Sequence, residues 1–392
     1  MKRFQCAPRL DWESTVEEQG LIYHQTPHPD GTVRPYWTED GYWSFTLSEV
    51  NELERVTNEL HQMCLTAAQH VIDEKRYAEF GIPSAYVPSI EMTWEIEPPS
   101  LYGRFDFAYD GVKPAKMLEY NADTPTSLLE AAVVQWYWQQ DQFPDADQWN
   151  SLHERLVAVW SDLKGYLPGH GLHLAYTEAD ASGEDLMTVS YIAETARQAG
   201  IDTRQISMEQ IGWDRDYKRF CGLEREPITS IFKLYPWEWM ADEEFGEQAL
   251  RTMGTTQSGP VCWIEPIWKM LLSNKAILAI LWELYPGHPN LLPAYFDGPR
   301  SLTSYVRKPK LSREGANVTL HVEGQNEVVT GGDYGEEGYV YQAYSKLPTA
   351  DGYTTVLGSW IIGQESGGMG IRESESAITN NLSRFVPHII EE

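Results

Sequence analysis

Leu101 to Asp123 reads LYGRFDFAYDGVKPAKMLEYNAD. Two alternating runs, Tyr102 to Tyr109 and Lys116 to Asp123, flank a segment carrying Asp110, Gly111 and Pro114, a pattern that predicts a hairpin. Successive strand residues face opposite ways, so Arg104 and Asp106 share a face, as do Glu119 and Asn121, while Phe105, Phe107, Leu118 and Tyr120 project from the other. A turn centred between Val112 and Lys113 sets Asp106 opposite Glu119 and Arg104 opposite Asn121. Two facing carboxylates repel across a ladder unless a cation lies between them. Hard oxygen donors in that arrangement suit Mg2+, which keeps waters and takes phosphate oxygens for its remaining positions. Arg104 beside such an ion would neutralise a transferring phosphoryl group. A solvated hairpin face with ordinary ion pairs would carry the same residues.

The chain around this hairpin has 392 residues, 42% hydrophobic and 22% charged, which predicts a compact protein of two or three interlocked α/β lobes. With 30 Lys and Arg against 58 Asp and Glu, the formal net charge is -28, which repels polyanions and excludes nucleic acid as an expected partner. The same field favours a cationic substrate such as a polyamine or basic peptide, although excess acid also simply maintains solubility. No apolar run approaches the length of a membrane span, and Met1 to Glu13 lacks the apolar core of an export signal. Cys6, Cys64, Cys221 and Cys262 have no paired spacing. The expectation is a cytoplasmic protein with reduced thiols and no membrane span.

Working outward, Thr46 and Glu49 form a capping-box pattern ahead of Val50, Leu53, Leu60, Cys64, Ala67 and Val71, predicting a helix that runs towards Phe80 and stops at Gly81 and Pro83. Residues 126–140 and 150–166 read as further helices. His173 to Tyr176, Glu184 to Ala199 and Thr203 to Met208 make a βαβ candidate. Beyond it, Tyr305 to Arg307, Val318 to Val322, Tyr339 to Tyr344 and Val356 to Ile362 predict a mostly antiparallel sheet, so the fold class is α/β (α+β).

Three further positions pair a fixed charge with backbone suited to an anion. Lys275 opens an amphipathic run, Asn274 to Leu284, with Ser273 as candidate cap; a cation there opposes the helix dipole unless phosphate is bound. Lys308 precedes a loop, Pro309 to Gly315, in which Gly315 permits close backbone approach. Gly363, Gly367, Gly368 and Gly370 precede Arg372, reading as an anion site or as a mobile turn. His170 and His173 read as loop and surface groups, and Trp136, Trp138, Trp237 and Trp239 as packing residues.

The ordered motifs PRLDW (8–12), PYW (35–37), RFDF (104–107), EYNADTPTSLLEA (119–131), FKLYPWEW (232–239), RKP (307–309) and GIRESES (370–376) resemble the synthetase part of the glutathionylspermidine synthase family, most closely its stand-alone acid–amine ligases. The resemblance implies one ATP-grasp synthetase region over 1–392, with approximate lobes 1–168, 169–265 and 266–392. It implies that Arg104, Phe105, Asp106, Lys275, Lys308, Gly315, Gln342 and Ala377 bind ATP, and that Arg104 and Arg372 stabilise the transition state. Asp106, Glu119 and Asn121 fall on the ligands of Mg2+, with two ions expected. By a looser match Thr124, Glu184 and Asp185 contact substrate. The implied activity joins a carboxylate to an amine through an acyl phosphate, with substrate-free ATPase activity as a leak. A bare ATPase or phosphotransferase, or a nucleotide-binding regulatory module, would use the same site. One departure stands out: glutathione-using members have a threonine where this chain has Leu234.

Overall fold

The computed structural model describes residues 1–167, 171–179, 182–254 and 261–391. Helix α1, Leu47–Asp73, opens on the expected capping box: the Thr46 hydroxyl accepts from Glu49 N–H, and the Glu49 carboxylate accepts from Thr46 N–H. It ends seven residues before Phe80 because Lys75 turns left-handed (φ 54°), and Arg76–Phe80 continues as a 3-10 helix to Gly81. Strands β1 (Tyr102–Ala108) and β2 (Lys116–Asn121) form the hairpin. A π-helical turn, Glu130–Val134, leads into α2 (Gln135–Gln142), followed by α3 (Leu152–Leu163).

The βαβ unit follows as β3 (Leu172–Tyr176), α4 (Glu184–Gln198) and β4 (Thr203–Ser207), and continues through β5 (Ser230–Lys233), the short helix α5 (Trp237–Met240) and β6 (Cys262–Ile264). These strands form a parallel sheet in the order β6–β5–β3–β4. Next come α6 (Ile277–Leu284), β7 (Ala294–Tyr295), β8 (Tyr305–Pro309), β9 (Thr319–His321), β10 (Val328–Val329) and β11 (Tyr339–Ala343). Their strands make an antiparallel sheet ordered β7–β11–β8–β9–β10. Finally β12 (Tyr353–Ile362), β13 (Glu365–Ser374) and β14 (Arg384–Val386) return to the hairpin, giving an antiparallel path β14–β13–β12–β1–β2. Strands from opposite ends of the chain thus share one sheet.

The hairpin register is the one the turn position predicts, Asp106 opposite Glu119 and Arg104 opposite Asn121. A bulge follows Asp106, so that Phe107 pairs with Met117 and Leu118 drops out of the ladder. Met117, fully buried, therefore fills the core place expected of Leu118, which instead lines the cleft. Phe105 and Tyr120 stack on the core face with ring centroids 3.8 Å apart.

Other expectations are corrected by contacts remote in sequence. Gly367, Gly368 and Gly370 lie inside β13 and not in a mobile turn. A Cβ on Gly370 would come within 2.6 Å of the Phe385 ring, so a bare backbone lets β14 close over the strand. His173 is a buried strand residue at 2% exposure, because β3 is flanked by β4 and β5 on both edges; burial pushes its imidazole pKa down. His170 lies outside the described residues. Trp138 and Trp237 are core residues, whereas Trp136 and Trp239 are each 41% exposed, and Trp239 faces the cleft. Among the described residues no helix is long and apolar enough to cross a membrane, and the four cysteines are unpaired.

Candidate active site

The three sheets enclose a cavity of about 500 Å³, and every site residue expected from sequence except Phe105 lines it. Phe105 is buried against Tyr120 on the opposite face of β1, so its side chain takes no part in the cleft. Eight of the others arrive from six elements: Arg104 and Asp106 on β1, Glu119 and Asn121 on β2, Lys308 on β8, Gln342 on β11, Arg372 on β13, and Lys275 from the turn before α6.

At one end, cations surround the paired carboxylates. Arg104 Nε donates to Asp106 Oδ1 at 2.8 Å, its Nη1 donates to the Thr126 carbonyl at 2.6 Å, and Arg372 donates to Asp106 Oδ2. Burial opposes the charge on Arg104, but Asp106, with Glu119 and Tyr36, outweighs it and the guanidinium pKa is raised. Space for the Arg104 side chain comes from Gly358, where a Cβ would lie 2.9 Å from Arg104 Cδ. Lys275 Nζ donates to the Ser312 carbonyl at 2.6 Å and lies 3.1 Å from Glu119 Oε2. Burial alone would push the Glu119 carboxyl up, yet Lys275 and Lys308 hold it down at about 2. Lys308, buried among these groups, is pushed down to about 8, with desolvation the larger cause.

The free edge of β2 docks the antiparallel sheet of the last third. Lys308 Nζ donates to the Leu118 carbonyl at 2.9 Å and to Gln342 Oε1 at 2.8 Å, while Gln342 Nε2 donates to the Met117 carbonyl at 3.0 Å. The bulge leaves these carbonyls available. Ser273 does not cap a helix as expected. Its hydroxyl accepts from the N–H groups of Ala122 and Asp123, both at 2.9 Å, and fixes the exit of the hairpin. Asn274 is extended, its Oδ1 takes the Ala276 N–H at 2.9 Å, and α6 begins only at Ile277. Lys275 therefore sits in the turn immediately ahead of α6.

The other end of the cleft lies at the carboxyl ends of β3 and β5, where strand order reverses, the position at which open α/β sheets bind ligands. Thr177, Glu184, Asp185, Leu234, Glu238 and Trp239 line it. Asp123 ties this end to the hairpin. It forms a fully buried ion pair with Lys233 at 2.8 Å and accepts the first N–H of α5, from Trp237, at 3.0 Å. From the loop after β8, Arg313 reaches across to Thr124 Oγ1 at 2.6 Å and Glu238 Oε1 at 2.7 Å. Sequence reasoning passed over Lys233, Glu238 and Arg313, and read Trp239 as a packing residue only. The FKLYPWEW run carried three of them, but only the tertiary fold sets Glu238 and Trp239 against Arg313 and Lys233 against Asp123.

Asp106, Glu119 and Asn121 supply two opposed carboxylates and an amide oxygen on one wall, a hard-oxygen donor set that fits Mg2+. Their partners are side-chain cations and the Thr124 N–H, contacts that phosphate and metal can replace.

An antiparallel sheet whose lysines and glycine loop face an acidic hairpin across such a cleft defines an ATP-grasp protein. The fold is shared with a glutathione synthetase-like effector from Globodera pallida, at a TM-score of 0.57 over 97% of this chain and 96% of that one, with 9% identity. The model of the glutathionylspermidine synthase preATP-grasp family matches residues 3–391, and the chain belongs to the glutathionylspermidine synthase family. A Haemophilus influenzae protein named provisionally as an acid–amine ligase is 43% identical over 99% of both chains. The Escherichia coli bifunctional glutathionylspermidine synthetase/amidase is 29% identical over 96% of this chain, and the Crithidia fasciculata trypanothione synthetase 29% over 83%. The present chain spans 61% and 53% of the length of those two proteins.

Proposed function

We propose that this protein is an ATP- and Mg2+-dependent acid–amine ligase that forms an amide through an acyl phosphate. The observation that carries the reading is the polarity of the cleft. Arg104, Lys275, Lys308 and Arg372 gather around two carboxylates at one end, whereas Glu184, Asp185 and Glu238 line the other, where Arg313 pairs with Glu238. The first end suits triphosphate; the second suits an amine. Between them Val306, Val318 and Leu320 offer an apolar wall for a base.

Asp106, Glu119 and Asn121 are the residues that would hold Mg2+, which would supply positive charge to balance that of the phosphates. The substrate carboxylate attacks the γ-phosphorus and ADP departs, while Lys275, Lys308, Arg104 and Arg372 stabilise charge on the transferring group. The amine, as its free base, then attacks the acyl carbon, the C–O bond to phosphate breaks, and inorganic phosphate leaves with the proton that the nitrogen gives up. Water must be excluded at that stage, because it would hydrolyse the acyl phosphate and uncouple ATP turnover. The loop from Pro309 to Gly315, bound to Lys275 through Ser312 and to α5 through Arg313, closes the cleft between the two ends. Leu234, buried in the cleft wall, presents methyl groups where glutathione-using relatives carry a hydroxyl, so the substrate pair is expected to differ from glutathione and spermidine.

The test is phosphate release from Mg2+-ATP, alone and with pooled carboxylates and amines, followed by mass spectrometry. A product equal to acid plus amine minus water establishes ligation. Phosphate release that no pool stimulates, with no condensed product, favours the bare ATPase.

A further inference from the structure

Arg313 occupies a seat that a free cation would suit better. Its Nη2 donates to Glu238 Oε1 at 2.7 Å and its guanidinium carbon stands 5.8 Å from the centre of the Trp239 ring, but its Nε is buried without a hydrogen-bond partner. An orphaned buried N–H weakens the fit of the occupant, not of the seat. On the other side, the second oxygen of Glu238 takes no hydrogen bond among the described residues, and the half-exposed Trp239 ring packs edge-on against Tyr235 at 5.6 Å. A carboxylate beside two aromatic rings is a cation-binding arrangement. The seat is also rigid: Asp123 holds the Trp237 N–H at 3.0 Å, and Trp237 Nε1 donates to the Glu265 carbonyl at 2.8 Å, so α5 presents Glu238 without rearrangement.

We infer that Glu238, Trp239 and Tyr235 form the seat for the ammonium group of the amine substrate, and that Arg313 fills this seat until the amine displaces it. The inference rests on the ligase reading for the word substrate, but the exchange of cations stands on its own geometry. While Arg313 is seated, the loop carrying it bridges the two ends of the cleft, and the amine that displaces it fills the same opening against water. Arrival of the amine releases Arg313 but leaves its charge on the same loop, beside Ser312 and Gly315 and close to the transferring phosphoryl group. Amine entry and relocation of a positive charge are thereby one event, and other monocations of similar size compete for the seat.

The experiment is calorimetric titration of n-butylammonium and methylguanidinium into the full-length protein, with n-butanol as the neutral control. Arg313→Ala vacates the seat and should bind both cations at least ten-fold more tightly than wild type, with no gain for butanol. Adding Glu238→Gln, or separately Trp239→Leu, to Arg313→Ala should remove most of that gain; the second substitution lies at a half-exposed position and guards against a folding defect in the first. Equal cation affinity in wild type and Arg313→Ala, or a gain that survives both added substitutions, overturns the inference. The ligase reading is judged separately by the product mass. Amide formation with an amine KM unchanged in Glu238→Gln would refute the seat and leave the ligase intact, and cation exchange without amide would do the reverse.

Discussion

Lys233→Met would show how far the buried ion pair with Asp123 supports the cleft. The Lys233 side chain is 0% exposed and Asp123 1%, with 2.8 Å between Nζ and Oδ1. Burial pushes the Lys233 pKa down while Asp123 pushes back, so the Lys233 charge depends on its partner. Methionine keeps the packing volume but leaves Asp123 as a buried carboxylate with one remaining donor, the Trp237 N–H at 3.0 Å. Removing one partner of such a pair costs about 3–5 kcal/mol. The carbonyl of Tyr235 also loses its donor at 2.8 Å, about 1 kcal/mol more. A domain is stable by roughly 5–15 kcal/mol, so the variant should fold only marginally. Urea unfolding followed by tryptophan fluorescence measures the loss. The double substitution Asp123→Asn with Lys233→Met removes both charges and keeps an acceptor for Trp237, and should recover at least half of it. An unchanged urea midpoint in Lys233→Met, or a double variant no better than the single one, would refute this account of how α5 is held.

Three further outcomes are expected. Asp106→Asn and Glu119→Gln should each lower phosphate release from Mg2+-ATP by about 100-fold or more, with thermal unfolding retained; an unchanged rate in either removes the metal assignment. Gly358→Ala places a Cβ 2.9 Å from Arg104 Cδ, and should cost about 1–3 kcal/mol in urea unfolding while slowing phosphate release through a displaced Arg104; wild-type behaviour in both assays would mean that the arginine has room to spare. Burial pushes the His61 imidazole down to about 4 and that of His388 to about 3. Both are neutral in the folded state where the unfolded chain is protonated, so their contribution is fully present above the unfolded value and is lost as pH falls towards the folded one. For His61 the loss approaches roughly 3 kcal/mol near pH 4, and His61→Gln should flatten that part of the profile in urea unfolding measured from pH 7 to pH 5.

Much of the site was legible because local chemistry repeats with fixed periods. Alternation over Tyr102 to Asn121 gave the face carrying Arg104, Asp106, Glu119 and Asn121, and the turn position gave their pairing. The cleft lysines, by contrast, read individually as ordinary surface residues in the sequence. Only their convergence on Glu119 distinguishes Lys275 and Lys308.

What the sequence determined by itself is therefore which residues share an element and a face: the capping box of α1, the parallel unit around α4, the hairpin and its acidic face. Tertiary structure decided what covers each face. The capture of Ser273 by the hairpin backbone, the burial of His173 between two strands and the seating of Arg313 on Glu238 all follow from partners dozens to hundreds of residues away, whereas the bulge that sends Leu118 into the cleft is a backbone irregularity that side-chain alternation does not encode. The physical reason is that backbone periodicity fixes where a side chain points, whereas burial and pairing depend on which surface meets it there.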